Sequence, residues 1–252
     1  MTTGGISISD AATPDGIRLY AIGDVHGRFD LLQQMHRLIA AEILRDQPRD
    51  WRVIHLGDYV DRGPQSAQVL DCLTKLVARD PRYIALMGNH DEGMLEFLTD
   101  PTAEGARIFL NFGGVETAQS YGVALDETSR AQLLESHRLL LSALPDKHMT
   151  LLRNLPRAVT FGDFFFCHAG VRPGVALEAQ DPHDLIWIRR AFLDHTGLLE
   201  KVIVHGHTPH DAPQLLPNRV NVDTKAFATG RLTALVLDGR EKRFLVSEGA
   251  RA

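Results

Sequence analysis

Cysteine is scarce. The 252 residues hold two, Cys72 in a helical pattern and Cys167 in an apolar, strand-like run, too few for a disulfide framework and too isolated for a cysteine-based zinc site. Both read as buried thiols. Long apolar runs are also missing: no segment reaches the ~18 consecutive apolar residues of a membrane span. The opening MTTGGISISDAATPDG has neither the positive start nor the apolar stretch of a signal peptide. A cytoplasmic chain with no membrane partner is expected. Basic runs of useful length are absent as well, which argues against a nucleic-acid scaffold. Neither a repeat nor a linker-like stretch divides the chain, so a single domain over 1–252 is expected.

What is present is ordinary in bulk, with 44% hydrophobic and 23% charged residues and a formal charge of −5, enough for a sizeable core. Patterning is more informative. Apolar periodicity predicts strands at Ile17–Gly23, Arg52–Leu56 and Arg82–Met87, alternating with helices at Phe29–Leu44, Gln65–Ala78 and Glu92–Leu98. Such alternation implies parallel strands covered by helices, an α/β arrangement. From Pro101 to Leu155 the spacing is helical, clearest over Ala131–Leu144 and interrupted at Gly113, Gly114 and Gly122, and reads as a helical insertion or cap. Further strands are expected at Ala158–Phe161, Phe164–Cys167, Val202–Val204, Arg219–Val222, Leu232–Leu237 and Phe244–Val246, together forming a second, mixed sheet.

The segments GDVHG (Gly23–Gly27), GDYVDRG (Gly57–Gly63) and GNHD (Gly88–Asp91) each follow a predicted strand directly. Carboxyl ends of strands line the ligand crevice of an open α/β sheet, so the three can meet at one point. Asp24, His26, Asp58 and Asn89 supply carboxylate, imidazole and amide oxygen, a set suited to manganese, iron or zinc. FCHAG adds His168 after an aromatic run, and VIVHGHT adds His205 and His207 after an apolar one. A single Gly-Asp after a strand is usually an ordinary turn, and a lone histidine such as His55 or His148 is usually a packed or surface residue. Five ligand-bearing clusters at successive strand ends, in a chain with 12 histidines, are a different matter. The constellation points to a metal site.

The ordered set GDVHG, GDYVDRG, GNHD, CHAG and HGHT resembles the calcineurin-like metallophosphoesterases and, within them, the phosphoprotein phosphatases, especially the bacterial and phage members, over residues 17–235. The resemblance implies two central mixed β-sheets flanked by helices, a four-layer sandwich. It implies two divalent metal ions, manganese first, with iron and zinc as alternatives. Asp24 and His26 would bind the first ion, Asp58 would bridge both, and Asn89, His168 and His207 would bind the second. His90 and Asp61 match the family's acid dyad. Arg62 and Arg189, the latter in LIWIRR and chosen over Arg190 by its spacing from Trp187, match phosphate-binding arginines, with Asn89 beside them. His205 falls outside the ligand set, and in NVDTKAF Lys225 stands where the family carries a glycine after Asp-Thr.

The implied reaction is attack of a metal-activated water on phosphorus, with His90 protonating the leaving oxygen. The implied substrate is a phosphomonoester, phosphoserine or phosphothreonine in a protein first, with some tolerance for phosphotyrosine or small esters. Hydrolysis of diadenosine tetraphosphate or another nucleotide anhydride is the alternative, because the symmetrical diadenosine tetraphosphatases look similar. Their first motif commonly carries Gln where this chain has His26, which favours the protein-phosphatase side, whereas GNHD in place of the eukaryotic GNHE favours it less. A non-catalytic binding protein on the same fold ranks last, since every ligand and the acid histidine are retained.

Overall fold

A computed structural model describes residues 4–251. In the first half, β1 (Ile17–Ile22), β2 (Asp50–His55) and β3 (Tyr83–Ala85) alternate with α1 (Phe29–Asp46), α2 (Ser66–Arg79) and α3 (Asn89–Thr99). The three strands pair in parallel, with Ile22 opposite His55 and His55 opposite Ala85. The expected helices are therefore displaced by only one to three residues at their ends.

One expectation is corrected. The strands read at 232–237 and 244–246 do not join the second sheet but lengthen into β9 (Arg231–Asp238) and β10 (Glu241–Glu248). This hairpin turns at Gly239, whose φ of 56° lies in the left-handed region that glycine tolerates, and adds antiparallel to β1, with Ile22 opposite Ala234. The first sheet is thus ordered β10-β9-β1-β2-β3. The second contains β4 (Ala158–Phe161), β5 (Phe164–Cys167), β6 (Val202–His205), β8 (Arg219–Asn221) and β7 (Gln214–Leu215), in that spatial order. β7 is an edge pair that no apolar run announces.

The side-chain alternation of each strand assembles the layers. Leu19, Ala21, Ile54, Leu235 and Leu237 from one sheet pack with Phe164, Phe166, Val202, Val204 and Val220 from the other as a single apolar layer. Alternate residues of the same strands, Tyr20, Ile22, Val53 and Val236, face outward onto α1 and α2, as Phe165, Cys167 and Ile203 do on the opposite side, against Ile186 and Phe192. Two mixed sheets face each other with helices outside, as the resemblance implies.

Residues 106–153 form α4 (Ala106–Asn111), α5 (Gly114–Ser120), α6 (Arg130–Ala143) and α7 (Asp146–Arg153), broken at the expected glycines. They pack on α2 and α3, and the α4–α5 turn reaches the strand ends. Short helices α8 (Asp184–Trp187), α9 (Arg190–Leu193) and α10 (Ala226–Thr229) lie in the second half. Among the described residues no helix is long and apolar enough to cross a membrane.

Candidate metal centre

The parallel strands β1, β2, β3, β5, β6 and β8 deliver their following loops to one end of the sandwich. There Asp24, His26, Asp58, Arg62, Asn89, His90, Arg189 and His207 line a polar cavity of about 130 Å³, together with Pro209 and Asp223. A larger hollow of about 650 Å³, bordered by Val77, Tyr83 and Leu151, lies elsewhere. Both groups of side chains able to hold a metal ion, however, gather at the small one: His26, Asp58 and His90 in one, Asp24, Asp58 and His168 in the other.

Asp58 stands between these groups, with one carboxylate oxygen 3.5 Å from His26 Nε2 and the other 3.4 Å from His168 Nε2. Asn89 Oδ1 lies 2.9 Å from His168 Nε2 and 2.8 Å from His207 Nδ1, so amide and imidazole donors converge. Asp24 is tied in through its carboxylate, which accepts the His207 N–H at 3.0 Å. Two of the candidate ligand histidines are oriented from behind: His26 Nδ1 faces Val60 O at 2.8 Å and His168 Nδ1 faces Leu56 O at 3.0 Å. This leaves the other ring nitrogen of each for the cavity.

The backbone is bent hard to achieve this. His26, Asp58, Asp61, Arg62, His207 and Lys225 all take positive φ, between 44° and 71°, and only Gln47 does so elsewhere among the described non-glycine residues. Each such residue costs on the order of 1 kcal/mol and persists only where its surroundings dictate it. Buried Asp91 supplies part of that dictation, its carboxylate accepting the N–H groups of Asp58 (2.8 Å), Tyr59 (2.9 Å) and Gly88 (3.0 Å) and so locking the second loop to the third. Gly88 leaves the space required, since a Cβ there would lie 2.2 Å from Asp58 N.

The electrostatics describe a site short of positive charge. Burial, with Asp223 and Asp58 nearby, pushes the Asp24 carboxyl well above the carboxylate range. Burial likewise opposes ionisation of Asp58, but His168, His90 and His26 hold it well below that range. Burial also opposes protonation of His168, yet Asp58 outweighs it and lifts the imidazole to about 9. Among the described residues, no lysine or arginine pairs with Asp24, Asp58 or Asp223. A buried acidic cluster without basic partners, mixed with inward-facing histidines and an amide oxygen, is the chemistry of a cation site.

His90 Nδ1–H donates to Asp61 at 2.7 Å, and His90 Nε2 is left beside Arg62 Nη2 at 3.2 Å. Burial would lower this imidazole, but Asp58 and Asp61 outweigh it and keep it above the ordinary histidine value. Arg189 lines the cavity, whereas the neighbouring Arg190 opens α9. His205 is fully buried, edge-on to Phe192 at 5.1 Å, and is not on the cavity wall. Lys225 takes left-handed backbone, at φ 57°, a conformation that favours glycine, and its ammonium pairs with exposed Asp211 at 2.9 Å.

The calcineurin-like phosphoesterase model matches residues 17–234. The chain is a calcineurin-like phosphoesterase. Members of this family use a dinuclear metal centre, and the donor set above fits one. Among curated relatives, this phosphoesterase is 27% identical over 234 residues to an asymmetrical bis(5'-nucleosyl)-tetraphosphatase, PrpE, of Anoxybacillus flavithermus, spanning 85% of this chain and 88% of the relative. It is 27% identical over 232 residues to the protein of the same name in Halalkalibacterium halodurans, spanning 85% and 87%. Among solved structures, one described provisionally as a diadenosine tetraphosphatase superposes with a TM-score of 0.64 at 18% identity, covering 95% of this chain and 100% of that one. A cold-active protein-tyrosine phosphatase of a psychrophilic Shewanella superposes at 0.54 with 17% identity, covering 94% and 84%. The two structures speak for the fold alone. The relatives favour the nucleotide alternative over the protein-phosphatase expectation. The Gln expected in place of His26 belongs to symmetrical tetraphosphatases, whereas these relatives are named as asymmetrical.

Sequence reasoning missed four supports of the site. Asp91 was visible only as the last letter of GNHD. Thr117, whose hydroxyl donates to Asp61 Oδ1 at 2.9 Å and accepts the Asp61 N–H at 2.8 Å, carries no local signal. Nor does Phe227, whose ring lies 4.5 Å beneath the Arg62 guanidinium. Asp223 was seen in NVDTKAF, but its place on the cavity wall was not.

Proposed function

We propose that this phosphoesterase hydrolyses the phosphoanhydride chain of dinucleoside polyphosphates, with diadenosine tetraphosphate as the test substrate and an asymmetric cut as the expected outcome. What carries the reading is the likeness to tetraphosphatases along 85% of the chain and nearly all of the relatives' length. The cavity is compatible with it: about 130 Å³, polar-lined and provided with two arginines, it suits phosphate groups and leaves any larger moiety outside.

In this reading Asp24 and His26 would hold one ion and Asn89, His168 and His207 the other, with Asp58, which belongs to both groups of candidate donors, shared between them. When bound, the metal pair supplies the positive charge that makes a water acidic enough to attack phosphorus at neutral pH. Manganese is the first candidate, and iron and zinc suit the same donors. Arg62 and Arg189 bind phosphate oxygens through planar, paired N–H groups that lysine cannot reproduce. Phe227 beneath Arg62 keeps that guanidinium in place. Asn89 completes the phosphate contacts. His90 delivers a proton from Nε2 to the departing oxygen, while Asp61, itself fixed by Thr117, holds the ring through Nδ1.

Purified protein with manganese, offered diadenosine tetraphosphate and a panel of phosphoserine and phosphothreonine peptides, tests the proposal. The expected products are a nucleoside triphosphate and a nucleoside monophosphate in equal amounts. Faster turnover of the peptides would return the protein-phosphatase reading to first place.

A further inference from the structure

We propose that Phe112 is the residue on which the leaving nucleotide stacks its base, so that the α4–α5 turn selects substrates carrying a flat ring. This inference rests on the nucleotide reading above.

Three aromatic side chains lie against histidines of the cavity wall, Phe227 against His26 at 5.5 Å, Trp187 against His207 at 6.2 Å and Phe112 against His90, and the first two are engaged elsewhere as well. Phe227 has Arg62 over one face at 4.5 Å. Trp187 is stacked on His183 at 5.9 Å, with 20° between the rings, and its indole N–H donates to Glu92 at 3.0 Å. Phe112 is free. It is 52% exposed and is the only aromatic among the exposed large hydrophobic side chains of the described residues. Its ring centroid lies 6.5 Å from that of His90.

A single exposed apolar side chain is common and means little alone. What distinguishes Phe112 is how firmly its turn is fastened to the site. Arg62 N–H donates to Gly113 O at 3.3 Å. Gly113 takes a φ of 114°, and a Cβ there would stand 2.2 Å from Arg62 N, so the turn approaches as closely as it does only because glycine is present. Four residues on, Thr117 is hydrogen-bonded to both the N–H and the carboxylate of Asp61. The segment that positions the acid dyad therefore also presents an unoccupied aromatic ring next to it.

His90 marks the side of the site from which the leaving oxygen departs. In an anhydride that oxygen carries a nucleotide, and a base on a short phosphate tether reaches the ring beside His90. Offset stacking at 4.5–7 Å between ring centres is favourable for any base, because every base has a π-face. A phosphorylated serine or threonine brings no such ring.

The test compares the holoenzyme with Phe112→Ala and Phe112→Tyr, measuring KM and kcat for diadenosine tetraphosphate and the inhibition constant of inorganic tripolyphosphate, a chain without bases. Phe112→Ala is expected to raise KM on the order of tenfold, a larger change than in kcat, while tripolyphosphate inhibition moves by less than about twofold and Phe112→Tyr restores the wild-type KM. An unchanged KM in Phe112→Ala, or an equal loss of affinity for tripolyphosphate, would overturn the stacking role and leave the nucleotide reading intact. Absence of diadenosine tetraphosphate turnover by the wild-type enzyme would overturn both.

Discussion

The strand-end loops and the helices α6 and α7 fold by opposite rules. In the loops the backbone is tightly constrained: six non-glycine residues adopt positive φ, and glycines sit where a Cβ would collide with a candidate metal ligand, 1.9 Å from Asp24 Oδ1 at Gly206 and 2.3 Å from Asp58 Oδ1 at Gly88. The helices α6 and α7 are held by apolar contacts and a few ordinary hydrogen bonds, such as His137 Nε2 with Leu98 O and Tyr121 with His148, and α6 leaves Leu134, Leu139 and Leu141 exposed. The difference teaches that conformational cost is concentrated where ligand atoms must converge. Substitutions in the loops should therefore act steeply and those on the exposed faces of α6 and α7 weakly.

The largest effect is expected at Asp58. Asp58→Asn removes charge from both proposed ion positions at once and should reduce diadenosine tetraphosphate turnover roughly a thousandfold, several kcal/mol of transition-state stabilisation being at stake. Steady-state kinetics in excess manganese would check this, and a loss under tenfold would break the contrast. Next comes His90→Gln, expected to cost about a hundredfold on phenyl phosphate and clearly less on p-nitrophenyl phosphate, whose leaving group needs no proton. Equal losses on the two esters would speak against the proton-donor role.

Gly88→Ala probes packing rather than chemistry. With its Cβ against Asp58 N, it should lower unfolding free energy by about 1–3 kcal/mol in urea titration and weaken metal binding in parallel.

A smaller effect follows from acid. His36 and His55 face each other at 2.9 Å between Nε2 atoms, away from the cavity, and burial pushes them down to about 3 and about 4 from the ordinary 6.5. Both are neutral in the folded chain and charge readily once unfolded. Stability is thus complete above about pH 6.5 and declines as pH falls toward 4, by up to ~1.4 kcal/mol per pH unit for each histidine. His36→Leu should flatten that slope in urea titrations between pH 6.5 and 4.5, and an unaltered slope would remove the pair from the account. The smallest change is expected on α6, where Leu139→Ala at a 41% exposed position should shift stability by no more than about 0.5 kcal/mol and leave turnover untouched.

How legible each region was follows the same division. The loops could be read because the demands of a metal site leave a fixed vocabulary after each strand: Asp24, His26, Asp58, Asn89, His168 and His207 were named from the sequence, and the structure gathers all six. β1, β2 and α1 were readable from apolar period alone. The placement of β9 and β10 was not. Their pairing with β1 joins residues more than 200 positions apart, such as Ile22 and Ala234, and both faces of β9 are apolar, so nothing local chooses between the two sheets. The supports Thr117 and Phe227 were illegible for a related reason, since their partners Asp61 and Arg62 come from another part of the chain.

The claim on which the rest depends is that Asp58 lies between two metal ions. Stripping the purified protein of metal and titrating it with manganese, while counting ions bound per chain and following turnover, tests it directly. The account predicts two ions per chain in the wild type, activity that returns as they bind, and fewer than two in Asp58→Asn. Full turnover by the stripped protein, or saturation at one ion or none, would contradict it.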